Sequence, residues 1–82
     1  MLIRSQSGMR IIHAYSVKIE KYSESSGKYA LRATWGHEEA GYPIGLYHTF
    51  AEAQAALDHI FSQAAKGTPV DLTIFNAEAT HQ

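Results

Sequence analysis

His37-Glu38-Glu39 sets an imidazole beside two carboxylates, the groups that hold divalent metals or shuttle protons. Consecutive side chains diverge, however, so three neighbours rarely meet on one ion, and the same residues suit a solvated loop. The remaining histidines are dispersed. His13 and His48 fall in different predicted strands and can meet only across a sheet. His59 follows Asp58 on the polar side of a predicted helix, and His81 lies near the C-terminus. The absence of cysteine removes thiolate zinc sites, cysteine nucleophiles and disulfides. No serine, histidine and acid can be assembled into a triad from spacing alone. The expectation is a protein that is not an enzyme, with no metal and no cofactor.

A second kind of chemistry is recognition by stacking and charge. Trp35, Tyr42 and Tyr47 can form an aromatic surface, and Arg4, Arg10, Lys18, Lys28 and Arg32 can supply contacts to phosphate or carboxylate. Against this, strand aromatics usually pack across a sheet or beneath a helix, and scattered basic residues keep an open face solvated. The net charge of −1 also lacks the basic excess of a dedicated nucleic-acid binder. The charge is unevenly placed: residues 1–48 hold six basic and four acidic side chains, and residues 49–82 hold one and four.

The elements that must position these residues read as follows. Leu2–Gln6 is a short strand closed by a Ser7-Gly8 turn. Met9–Tyr22 is extended, with Ile11, His13, Tyr15, Val17 and Ile19 on one face and Ile12, Lys18 and Glu20 on the other. Fourteen residues is long for one strand, so a bend near Ala14-Tyr15-Ser16 is expected. After a turn at Ser23–Gly27, Lys28–Trp35 alternates as a half-buried strand. Gly36–Pro43 is a polar loop and Ile44–His48 another strand.

Thr49-Phe50-Ala51-Glu52 matches a capping box, the strongest local signal in the chain. The helix after it carries Ala53, Leu57, Ile60, Phe61 and Ala64 on one stripe, and Lys66, Gly67 and Pro69 mark its end. Val70–Phe75 should return as a strand. The predicted class is α+β, a mostly antiparallel sheet of four to five strands with one amphipathic helix, in the order β-β-β-β-α-β. Residues 1–76 make one domain and residues 77–82 a flexible tail. With 82 residues the core is thin. Neither a signal peptide nor a run of about 20 apolar residues is present, so a cytoplasmic location without membrane contact is expected.

Two resemblances add to this reading. Met1–Gln6, Ile11-Ile12, Ile44–Thr49, Glu52-Ala53 and Leu57–Ile60 resemble a set of small bacterial and phage proteins of unknown function. These begin in the same way and carry a leucine-glycine strand leading into a helix. The resemblance spans most of the chain and implies a small cytoplasmic protein of bacterial or prophage origin. Tyr29–Arg32, Trp35-Gly36-His37, Phe50 and Glu52–Phe61 are similar to the second half of a WGR domain, with His37 where that signature has arginine. That likeness implies association with nucleic acid.

The expected function is therefore a non-enzymatic protein-interaction module, of the accessory or regulatory kind found in prophages. It would bind another protein, or itself as a homodimer, through a sheet edge or open face bearing Arg4, Arg10, Lys18, Arg32, Trp35, Tyr42 and Tyr47. The alternative is a weak nucleic-acid-binding domain using the basic sheet face.

Overall fold

The computed structural model describes residues 1–23, 25–36 and 41–75. It shows an α+β fold with strands β1 (Leu2–Arg4), β2 (Ile11–His13), β3 (Ser16–Lys21), β4 (Tyr29–Thr34), β5 (Tyr42–Tyr47) and β6 (Val70–Asp71). Helix α1 (Phe50–Ala65) lies between β5 and β6, and a 3-10 helix, Leu72–Phe75, follows β6. Two three-stranded sheets have the orders β2-β1-β6 and β3-β4-β5. Every pairing is antiparallel except β1 with β6. Among the described residues, no helix is long and apolar enough to cross a membrane.

The bend expected near Ala14–Ser16 divides residues 9–22 into β2 and β3. The Ala14 N–H bonds the Met1 carbonyl at 2.6 Å, and the next residue, Tyr15, bonds the Thr34 carbonyl on the opposite side. Ser16 is also the register partner of Thr34, so two residues face one in the manner of a bulge. A bulge shifts the alternation of side chains. Ile12 and Ala14 are buried before it, and Val17 and Ile19 pack on the core after it. Ile11, His13 and Tyr15, placed by the sequence pattern on the face of Val17 and Ile19, are instead exposed.

The core joins Ile3, Ile12, Leu31, Ala33, Ile44 and Tyr47 to Ala53, Ala56 and Ile60 of α1, with Val70 and Leu72. The helix begins as its sequence dictates: Thr49 Oγ1 accepts the Glu52 N–H at 3.1 Å, and the Glu52 carboxylate accepts the His48 N–H at 2.9 Å. It ends with Gly67 at φ 73°, whose N–H bonds the Ala64 carbonyl, while the Thr68 N–H reaches that of Gln63. Ala56 replaces Phe61 on the buried stripe, and Phe61 is 76% exposed.

The strand expected over Val70–Phe75 stops at Asp71. Its partner β1 offers only Ile3 and Arg4, because the Gln6 N–H, the next to face β6 by alternation, is bonded to Ile44. Asp71 Oδ1 then accepts the N–H of Thr73 at 3.0 Å and its hydroxyl at 2.6 Å, which turns the chain into the 3-10 helix.

Candidate interaction surface

Arg10, Tyr42 and Trp35 meet, although they come from three separate segments. Arg10 enters β2 and is held by the Ser5 N–H, which bonds its carbonyl at 2.8 Å. Tyr42 opens β5 opposite Ala33, one strand-end away from Trp35, which follows β4. Gly41 makes that approach possible. At φ 74°, a Cβ there would lie 3.2 Å from the Ala33 carbonyl oxygen and 3.2 Å from Arg32 Cβ. The Arg10 guanidinium carbon stands 4.3 Å from the Tyr42 ring centroid, and the Tyr42 and Trp35 centroids are 6.2 Å apart at 48°. A guanidinium over a tyrosine face is held by the ring quadrupole, an attraction of about 0.5–1 kcal/mol at exposed sites.

Two hollows flank this cluster and share Arg10. One, of about 540 Å³, lies between the β1–β2 loop and β5, lined by Gln6, Met9, Arg10, Tyr22, Tyr42 and Leu46 among others. The second, of about 470 Å³, is lined by Arg10, Ile11, Ile12, His13 and Trp35. Large apolar groups are open to solvent around them: Met9 is 89% exposed, Ile11 63% and Trp35 58%. Neither Met9 nor Ile11 is marked by residue type as a surface group. The signal for Ile11 lies in its neighbour, since only one of two adjacent strand residues can face the core.

The backbone of β2 adds hydrogen-bonding capacity to the second hollow. Met1 and Ala14 exchange both bonds, and Ser5 bonds Arg10. Bonded and non-bonded pairs alternate in an antiparallel ladder. Ile3–Ile12 is therefore the bonded pair within β1 and β2, and the peptide groups of Ile11 and His13 face away from β1. No strand pairs with that side of β2 among the described residues.

The other expected surface residues are elsewhere. Lys18 and Arg32 are cross-strand partners and share Glu20, with Lys18 Nζ 3.2 Å and Arg32 Nε 3.3 Å from its two carboxylate oxygens. One carboxylate thus offsets half of the positive charge of this pair. Arg4 sits on the outer face of β1 between Ile11 and Asp71, its register partners on the two sides. Tyr47 is 2% exposed and belongs to the core beneath α1, so it leaves the surface set. Its hydroxyl has no hydrogen-bond partner among the described residues, and burial pushes its pKa well up.

The histidines do not converge. His13 is exposed on β2, His48 precedes α1, and the His59 ring lies 5.7 Å from that of Phe75. His37, Glu38, Glu39 and His81 lie outside the described residues, as does the tail over 77–82. Among the described residues no group of three or more histidine and acidic side chains is placed to hold a metal ion. Compared with known proteins, the chain matches no family model, no curated protein and no solved structure.

Proposed function

We propose that the protein is a non-enzymatic interaction module that takes an extended segment of a partner protein across the Arg10–Tyr42–Trp35 cluster. The observation that carries this reading is the cluster itself, an arginine stacked on a tyrosine beside an exposed tryptophan, between two hollows. Such aromatic and arginine anchors dominate protein interfaces. The Ile11 and His13 peptide groups offer a strand-like segment main-chain bonds, and Met9 and Ile11 offer apolar contact. Arg10, with His13 in the wall of the same hollow, favours a segment carrying a carboxylate. A regulatory or accessory role in a bacterial or phage setting fits a module of this size, and a cytoplasmic location fits its lack of cysteine. Nucleic acid is the weaker reading, because Lys18 and Arg32 are both engaged by Glu20 and the net charge is −1.

The test is selection of peptides from a displayed random library on the immobilised protein, followed by titration of synthetic versions. Enriched sequences should combine an acidic residue with apolar neighbours, and Arg10→Ala or Trp35→Ala should weaken them roughly tenfold or more. Enrichment without acidic residues, or indifference to both substitutions, would sink the reading. Salt-sensitive binding of a single-stranded oligonucleotide, abolished by Arg10→Ala, would replace it with the nucleic-acid alternative.

A further inference from the structure

The strand β3 is an edge, and its open side differs from that of β2. The Tyr22 N–H bonds the Lys28 carbonyl at 2.9 Å, so by alternation Glu20–Ala30 and Lys18–Arg32 are bonded pairs with β4. The peptide groups of Val17, Ile19 and Lys21 therefore point away from β4. On that side β1 accompanies the chain only as far as Met1 and Ala14. Beyond it, no strand pairs with β3 among the described residues.

We infer that this edge pairs with β3 of a second copy of the chain, antiparallel and about a two-fold axis at Ile19. Two properties of the strand select this occupant. The first is hydrogen-bond parity. Ile19 meets its own twin with both peptide groups facing it, and Val17 meets Lys21 of the twin in the same way, so the outward-facing residues of the two strands coincide. The second is charge. In this register Lys18 of each copy lies opposite Glu20 of the other, on the face already carrying the Lys18–Glu20 ion pair. A foreign edge would meet two lysines and one acid without that match, which lets the strand resist indiscriminate pairing while accepting itself.

The surroundings of the edge fit a twin as well. A hollow of about 390 Å³ runs between β3 and α1, lined by Met1, Val17, Leu57, Ile60, Phe61 and Ala64, with Asp58 at its border. A two-fold axis perpendicular to the sheet keeps both helices on the same face, one on each side of the seam. The two hollows then adjoin, and each exposed Phe61 gains an apolar neighbour.

Light scattering on a size-exclusion column over a wide concentration range should show a dimer. Lys21→Pro removes an outward-facing N–H without touching the β4 ladder, and should shift the chain to monomer with its helix content kept. Lys18→Glu alone and Glu20→Lys alone turn two attractive pairs into repulsive ones and should weaken self-association roughly tenfold or more. Mixing these two variants should restore association as a heterodimer, because each acid again faces a lysine. A folding defect cannot produce that recovery. A wild-type chain that stays monomeric overturns the proposal, as does a dimer indifferent to Lys21→Pro and to the charge changes. Neither outcome bears on the Arg10 cluster, which lies on the other side of the strand.

Discussion

The side-chain oxygen of Gln6 accepts the backbone N–H of Leu46 at 2.7 Å, joining residues forty positions apart. Its own N–H bonds the Ile44 carbonyl at 2.8 Å, and its Nε2 donates to the Phe75 carbonyl at 3.4 Å. One amide thus ties the β1–β2 loop to β5 and to the last helical turn, and forms part of the wall of the hollow beside Arg10. The orientation of the amide is fixed by chemistry, since an N–H must face an oxygen.

Gln6 is 5% exposed, so truncation leaves peptide groups short of partners in a nearly dry site. Gln6→Ala should lower stability by about 1–3 kcal/mol. For a chain of this size each kcal/mol corresponds to roughly 4–8 °C in Tm, which thermal melting resolves. Gln6→Glu keeps the acceptor for Leu46 and loses the donor for Phe75. At neutral pH its carboxylate is buried beside a carbonyl, and protonation restores a donor. The gap between Gln6→Glu and wild type should therefore narrow as pH falls, and a gap independent of pH would contradict the assigned bonding.

Gly45 and Tyr47 are coupled through a missing side chain. A Cβ on Gly45 would lie 2.5 Å from the Tyr47 hydroxyl oxygen, 2.8 Å from Cε2 and 2.9 Å from Cζ. Gly45→Ala must displace the ring from the core, at about 1–3 kcal/mol. In a Tyr47→Leu background the added methyl has no ring to meet, so the same change should be milder, with a coupling of at least about 0.5 kcal/mol in a double-mutant cycle. Tyr47→Phe removes a buried hydroxyl that has no partner among the described residues, and should be neutral or stabilising. Because burial raises the Tyr47 pKa, the hydroxyl ionises first in the unfolded chain. Its contribution is intact below the ordinary tyrosine value of about 10 and is lost as pH rises above it. Tyr47→Phe should flatten the alkaline fall in stability.

The helix and its caps were legible because each signal is local. Thr49, Glu52, Gly67 and Pro69 act on peptide groups within one turn. The bulge at Tyr15-Ser16 was not, since only the position of Thr34 on another strand makes two residues face one. Its consequence, the change of face between Ile12 and Val17, misled a reading based on period two. The length of β6 was equally hidden, because it depends on Gln6 being engaged elsewhere. Composition supplied Arg10, Trp35 and Tyr42 as candidates beside Arg4, Lys18, Arg32 and Tyr47. Only the fold could separate a stacked cluster from a pair sharing one carboxylate, an arginine beside Asp71 and a core tyrosine.

Trp35 is the only tryptophan, and it is more than half exposed, so its fluorescence reports on the proposed site alone. A bound segment that covers the indole should shift its emission to shorter wavelength. Arg10→Ala should abolish the shift at the same peptide concentration. The free Arg10→Ala protein should remain within about 1 kcal/mol of wild type, the loss of the contact with the Tyr42 ring. A shift that survives in Arg10→Ala would place the segment elsewhere along Trp35.

Asp71 gives a pH signature for the end of β6. The hydroxyl bond from Thr73 lowers the carboxyl pKa most, followed by the Thr73 N–H, with smaller help from the charges of Arg4 and His59 against a slight desolvation. A carboxyl whose folded pKa lies below its unfolded value stabilises the fold above the ordinary carboxylate range, and that stability is lost as pH falls through the folded value. Asp71→Asn keeps an acceptor for Thr73 and removes the charge. It should therefore be less stable than wild type near neutrality, and the two should converge in acid, as read from urea midpoints across pH. Thr73→Val deletes the hydroxyl donor and should raise the Asp71 pKa toward its ordinary value in a carboxylate NMR titration. If Asp71 titrates at that ordinary value in the wild type, neither bond from Thr73 holds its carboxylate, and another contact turns the chain out of β6.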